Sequence, residues 1–217
     1  MGRLIIFEGT DGSGKSTQLE LLRQRLAAEG RDFRTLTFPC YDKESSALVR
    51  MYLRGDFGSR PEDVNAYAAS SFFSVDRYAS FKQDWEADWK ADRLILADRY
   101  TTSNAVHQAA KLPAEERERY LHWLFHYEYE LLGLPAPTCV LWLDMPVEHT
   151  LRLMRQRADA PDIHEQDADY LHRCHDAAEL AAELGSWRRI PCADGNGPLS
   201  PQIIHAAVCA ALAGLCL

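Results

Sequence analysis

Arg3-Leu-Ile-Ile-Phe-Glu-Gly-Thr-Asp-Gly-Ser-Gly-Lys-Ser-Thr17 decides the fold: a short apolar run gives way to a glycine-rich turn that fits G-x-x-x-x-G-K-[ST] at Gly9, Gly14, Lys15 and Ser16. Gly9, Gly12 and Gly14 let the backbone fold tightly. The N–H groups from Gly9 through Thr10, Asp11, Gly12 and Ser13 to Thr17 can then point inward at phosphate oxygens, and the helix that follows adds the positive end of its dipole. Lys15 can reach the β- and γ-phosphates while the Ser16 hydroxyl binds Mg²⁺. The motif requires a strand before it and a helix after it, and Leu4 to Phe7 and Gln18 to Arg23 supply them. The stretch predicts a nucleoside-triphosphate site for ATP or a relative.

Outward from this turn, short β-rich runs alternate with longer helical patterns, as in crossover units around a parallel sheet. The expected strands are Leu4 to Glu8, Thr35 to Phe38, Leu94 to Asp98, Cys139 to Asp144 and Arg188 to Pro191. Helices are expected over Gln18 to Glu29, Ser46 to Leu53, Glu62 to Asp84 continuing to Lys90, Tyr100 to Ala110, Glu115 to Leu132, from Pro146 onward, Tyr170 to Leu184, and at the C-terminus from Ile203. Together these predict an α/β, P-loop NTPase fold with five parallel strands, helices on both faces and a mobile lid. Residues 1–217 read as a single domain, with the lid at about 152–167.

With 217 residues, 47% of them hydrophobic and 26% charged, the chain has the composition of an ordinary soluble protein. A net charge of −8 argues against a broad nucleic-acid or anionic-membrane surface but leaves room for arginines around a small phosphorylated ligand. Six scattered cysteines without a C-x-x-C pair point to reduced thiols and a cytoplasmic setting. His172, Cys174 and His175 lie close together, but no second cluster completes a four-ligand metal site, and a solvated helix face explains them.

Two strand ends carry charge: Asp98-Arg99-Tyr100 and Asp144. Ligands of open parallel sheets bind beyond the carboxyl ends of strands, so both aspartates fall where a Mg²⁺-bound nucleotide would lie, with Asp98 the stronger metal candidate. Arg99 offers a two-pronged grip on a phosphate. Asp11, a carboxylate inside the phosphate turn, makes electrostatic sense if it faces a sugar hydroxyl of a second nucleotide. Gly12 and Ser13 bring no positive charge, so a cation for the transferred phosphoryl group must come from elsewhere, and Arg155 and Arg157 are the candidates.

The chain resembles the thymidylate kinases of the P-loop nucleoside-monophosphate kinases over nearly its whole length. The residues that carry the resemblance are Phe7 to Gln18, Phe38-Pro39, Phe73 with Arg77, Asp98-Arg99-Tyr100 with Ser103 to Gln108, and the arginine-bearing flap. It implies a homodimer that transfers the ATP γ-phosphoryl group to dTMP, giving dTDP and ADP, with Mg²⁺ as cofactor and no nucleic-acid or membrane partner. It also implies acceptor-binding roles. Asp11 approaches the 3′-hydroxyl, Phe73 stacks on thymine, Arg77 bonds its O4, Arg99 holds the acceptor phosphate and Asn104 touches the base. Phe38, Ser103 and His107 line the same site. Lys15, Asp98, Arg99, Arg155 and Arg157 form the catalytic set, and Ser16 and Asp98 the metal pair.

The sequence departs from the family pattern at three places. Tyr41 stands where some members have an arginine, whose place is taken by Arg50 or by nothing. His107 replaces a common tyrosine, and Asp162-Ile-His-Glu165 replaces a common Asp-Arg-x-Glu. The alternative within enzymes is a deoxynucleoside kinase, or a monophosphate kinase for a different pyrimidine. A GTP-binding switch lacks support, because no Asn-Lys-x-Asp occurs and Asp194-Gly-Asn-Gly197 lies too near the C-terminus.

Overall fold

β1, Arg3–Glu8, has Leu4, Ile5, Ile6 and Phe7 all fully buried, and so occupies the centre of a five-stranded sheet in a computed structural model that describes residues 2–154 and 168–215. Around it lie β2 (Phe33–Thr37), β3 (Leu94–Asp98), β4 (Cys139–Asp144) and β5 (Arg188–Pro191), in the order β2-β3-β1-β4-β5 with every pairing parallel. Strands at the centre bury both faces and read as continuous apolar runs, whereas β2 at the edge exposes alternate residues. The period of two divides β1 between two cores. Ile5 and Phe7 pack with Leu22, Leu26 and Val208, while Leu4 and Ile6 pack with Phe81, Trp85 and Tyr100. Each such buried side chain contributes about 1.5–3 kcal/mol relative to exposure.

The helices are α1 (Lys15–Ala28), α2 (Ala47–Arg54), α3 (Ala66–Ser80), α4 (Glu86–Lys90), α5 (Thr101–His107), α6 (Ala114–Phe125), α7 (Val147–Met154), α8 (Ala168–Gly185) and α9 (Pro201–Leu212). Several expected boundaries move for local reasons. The helix expected from Glu62 begins at Ala66, because the Asn65 side chain accepts from the Ala68 N–H and caps it, and a π-helical turn, Phe81–Trp85, joins it to α4. A second π-helical turn, His126–Leu131, extends α6. The terminal helix begins at Pro201 behind a Ser200 cap. Asp194-Gly-Asn-Gly197 is the turn of a small antiparallel hairpin, β6 (Ala193–Asp194) with β7 (Gly197–Pro198), which the sequence reading did not foresee. Among the described residues no helix is long and apolar enough to cross a membrane, and no cluster of three or more His, Cys, Asp or Glu could hold a metal. Arg155, Arg157 and most of the expected lid lie outside the described residues.

Candidate active site

Gly9 follows β1 directly and has a φ of 151°; a Cβ there would lie 2.6 Å from Ser13 Oγ and 2.9 Å from the Leu143 carbonyl oxygen, so only glycine fits. Gly14, with a φ of 92°, turns the chain into α1 without any side-chain cap. The first N–H groups of α1 therefore carry no capping side chain, which suits them to an anion. Lys15 is 7% exposed, and its ammonium donates to the carbonyl oxygens of Gly9 and Thr10 at 2.8 and 2.9 Å. Burial lowers its pKa, reinforced by the neighbouring Arg99 against the pull of Asp11, Asp98 and Glu8.

The end of β3 meets this turn from the side. Ser16 Oγ donates to Asp98 Oδ2 at 2.9 Å, while Asp98 Oδ1 is buried without a hydrogen-bond partner among the described residues. A hydroxyl and a carboxylate in contact, with one buried carboxylate oxygen orphaned, are the hard-oxygen donors that Mg²⁺ takes directly or through water, so these residues fit the ion.

Arg99 sits at a φ of 68°, a left-handed conformation that non-glycine residues seldom adopt and that clusters at functional sites. Its backbone N–H donates to the Phe7 carbonyl. Its guanidinium donates to Asp11 Oδ1 at 2.6 Å and Ser103 Oγ at 3.3 Å, and lies 3.2 Å from His107 Nε2 and 3.6 Å from Glu8 Oε1. Burial opposes its charge, but Asp11, Glu8 and Asp98 outweigh that and raise its pKa. Burial likewise pushes Asp11 up, yet Arg99 and Lys15 hold it far below the usual carboxylate range. His107 is pushed down to about 3 by burial and by Arg99, and so is neutral at physiological pH. Glu8, fully buried, accepts from the Gly9 N–H, Thr102 Oγ1 and Ser103 Oγ, and thereby joins β1 to α5. A glutamate that ends an all-apolar strand is the sequence signal for such a residue, yet sequence reasoning gave it no role.

A cleft of about 310 Å³ brings together Asp11, Lys15, Ser16, Phe38, Asp98 and Arg99, with Tyr41 at its wall. Phe73, Arg77, Asn104 and His107 are not among the residues lining it. Phe73 is half-buried on α3, edge-on to Tyr52. Arg77, four residues on and thus on the same helix face, is 2% exposed and paired with Glu128. Asn104, on α5, donates to the same glutamate.

Two expectations are corrected. Asp144 is no counterpart of Asp98: it accepts from Arg189 and is bonded to His175 at 2.8 Å, an ion-pair cluster between β4, β5 and α8. Its pKa falls because these partners outweigh its burial. Arg50 does not stand in for the arginine missing at Tyr41: its Nη1 donates to the carbonyls of Tyr41 and Lys43 and to Ser46 Oγ, tying down the loop itself.

Comparison with known proteins points the same way. A family model described as thymidylate kinase matches residues 7–195. Thymidylate kinase of Mycobacterium tuberculosis is 33% identical over 193 residues, covering 85% of this chain and 89% of that protein. Thymidylate kinase of Alkalilimnicola ehrlichii is 30% identical over 201 residues, covering 91% and 87%. A solved structure of thymidylate kinase from Candida albicans superposes with a TM-score of 0.71 at 18% identity, covering 97% of this chain and 91% of that one, a likeness of fold.

Proposed function

The chain belongs to the thymidylate kinase family, whose reaction is phosphorylation of dTMP by ATP, and we propose that it performs this reaction with the residues gathered around the Lys15 cleft. The observation that carries the reading is the juxtaposition of an uncapped, lysine-bearing phosphate turn with the Arg99–Asp11 pair across one cleft. The acceptor phosphate oxygen is already anionic and needs no general base; what must be overcome is repulsion between two phosphate groups. Lys15 holds the donor phosphates and Arg99 the acceptor phosphate, while backbone N–H groups keep the reacting atoms in line. Ser16 and Asp98 would hold Mg²⁺, which when bound neutralises charge on the donor phosphates. Arg155 and Arg157, outside the described residues, are the cations proposed for the transferred group.

At the acceptor, Asp11 faces the 3′-hydroxyl, Ser103 and His107 border the sugar and phosphate, Phe38 walls the cleft and Phe73 stacks on the base. Arg77 and Asn104 read its edge. A neutral nucleoside as acceptor would need a base, and Asp11, held strongly acidic by Arg99 and Lys15, is a poor one. The enzyme is proposed to act as a cytoplasmic homodimer. The test is a coupled assay over thymidine, dTMP, dUMP and dCMP, with ATP and GTP as donors. Preference for dTMP with ATP is expected, and preference for thymidine would overturn the reading.

A further inference from the structure

Glu128 lies on the π-helical turn His126–Leu131 and is fully buried. Five donors from two helices converge on its carboxylate. From α3, Ser74 Oγ donates to Oε1 at 2.7 Å, and Arg77 donates through Nη2 to Oε1 at 2.5 Å and through Nε to Oε2 at 2.7 Å. From α5, Thr101 Oγ1 donates to Oε2 at 2.6 Å and Asn104 Nδ2 to Oε1 at 3.3 Å. A buried ion pair is weak evidence of stability, because desolvation offsets most of the attraction; what a saturated one supplies is fixed geometry.

That geometry has a definite polarity. Glu128 takes the Nε–Nη2 side of the Arg77 fork and the Tyr100 carbonyl accepts from Nη1 at 3.4 Å, so among the described contacts the second N–H of each Nη remains, that of Nη2 on the end-on edge. Asn104 directs Nδ2 at two acceptors, Glu128 and the Ser70 carbonyl at 3.3 Å, so the amide presents its oxygen on the opposite side. Arginine thus offers donors and asparagine an acceptor. Thymine has the complementary edge, an O4 acceptor beside an N3–H donor, and cytosine the reverse.

We propose that Glu128 is the positioning residue for base choice, orienting Arg77 and Asn104 so that the pair accepts a 4-oxo pyrimidine edge and rejects a 4-amino one. This rests on the reading that Arg77 and Asn104 meet the base. In Glu128→Gln the new amide places a donor against donors and removes the charge that holds Arg77. The experiment measures kcat and KM for dTMP, dCMP and ATP in wild type, Glu128→Gln and Arg77→Ala, with thermal melts to establish folding. For Glu128→Gln the dTMP/dCMP ratio of kcat/KM should narrow about 5- to 150-fold, mainly through KM for dTMP, with KM for ATP unchanged. A merely structural role would lower both acceptors equally, and that result in folded protein overturns the proposal. Ser74→Ala and Thr101→Val each remove one hydrogen bond to Glu128 and keep its charge. They should narrow the ratio about 2- to 10-fold; if Glu128→Gln does not fold, no change in either variant overturns the proposal. If Arg77→Ala narrows the ratio and Glu128→Gln does not, only the Glu128 role falls. If Arg77→Ala leaves it unchanged, the base-reading assignment falls and the role of Glu128 with it.

Discussion

At the proposed phosphate end, Asp11, Lys15 and Arg99 are carried by the glycine turn, the first residue of α1 and the residue after β3, around an open cleft of about 310 Å³, whereas Arg77, Asn104 and Glu128 at the proposed base end lie between helices with no more than 2% exposure. Both ends are rich in charge, but burial changes what the charge can do. Lining an open cleft, though themselves largely buried, these cations can neutralise the phosphates of any nucleotide, and nothing in that interaction depends on the base. In the dry network, a donor facing a donor leaves a polar group unpaired with no water to rescue it, at a cost of about 1–3 kcal/mol. The comparison predicts a division of labour in which the open end transfers and the buried end chooses.

The largest expected effect is at Lys15. Lys15→Ala should lower kcat/KM by roughly 10³ or more for dTMP and dCMP alike, since among the described residues the ammonium bonds to the carbonyls of its own loop, and it is the proposed stabiliser of transferring charge. Near-normal steady-state turnover would break the assignment of the phosphate end.

Next come the arginines of the expected lid. Arg155→Ala or Arg157→Ala should lower kcat by about 10²- to 10⁴-fold with smaller changes in KM, the pattern of a contact formed mainly in the transition state. Changes confined to KM would make them ground-state binders instead.

His107 sharpens the comparison through pH, because it is a buried neutral group at the charged end. Its folded pKa of about 3 lies below the unfolded value of ~6.5, so between these limits the unfolded chain binds more protons and stability falls as pH drops. The slope is at most about 1.4 kcal/mol per pH unit. Between pH 6.5 and 5 most carboxylates remain ionised in both states, which leaves histidines to dominate. His205, also lowered by burial, adds the same sign, and His175, raised by Asp144, the opposite. Both cancel in the difference between wild type and His107→Gln, and the variant should lose less denaturation midpoint over that window. Parallel curves would show that His107 takes up its proton in the folded state.

How far each end could be read from sequence follows from the range of its interactions. The phosphate turn is local: glycines at 9, 12 and 14, the lysine after them and the apolar strand before them are neighbours in the chain, and all three glycines adopt the positive φ that the motif demands. Asp98 and Asp144 look alike in sequence, each ending an apolar strand, yet one borders the phosphate turn through Ser16 and the other faces α8 and β5, where His175 and Arg189 claim it. Both strands flank β1, so what separates the two aspartates is the set of distant side chains each strand end meets, and that is not written in any local pattern. Glu128 was least legible. In Phe125-His-Tyr-Glu-Tyr-Glu130 it differs little from Glu130, which is largely exposed and pairs with His126. Only the π-helical turn and the packing of α3 and α5 over it make one glutamate an anchor and the other a surface group.

The division of labour is tested most directly by measuring kcat/KM for dTMP and dCMP side by side in wild type, Arg99→Ala and Arg77→Ala. Arg99→Ala should lower both values by a common factor and leave their ratio within about twofold, while Arg77→Ala should narrow the ratio by about 5- to 150-fold. A ratio that moves as far in Arg99→Ala as in Arg77→Ala would contradict the account, because the phosphate end would then be reading the base.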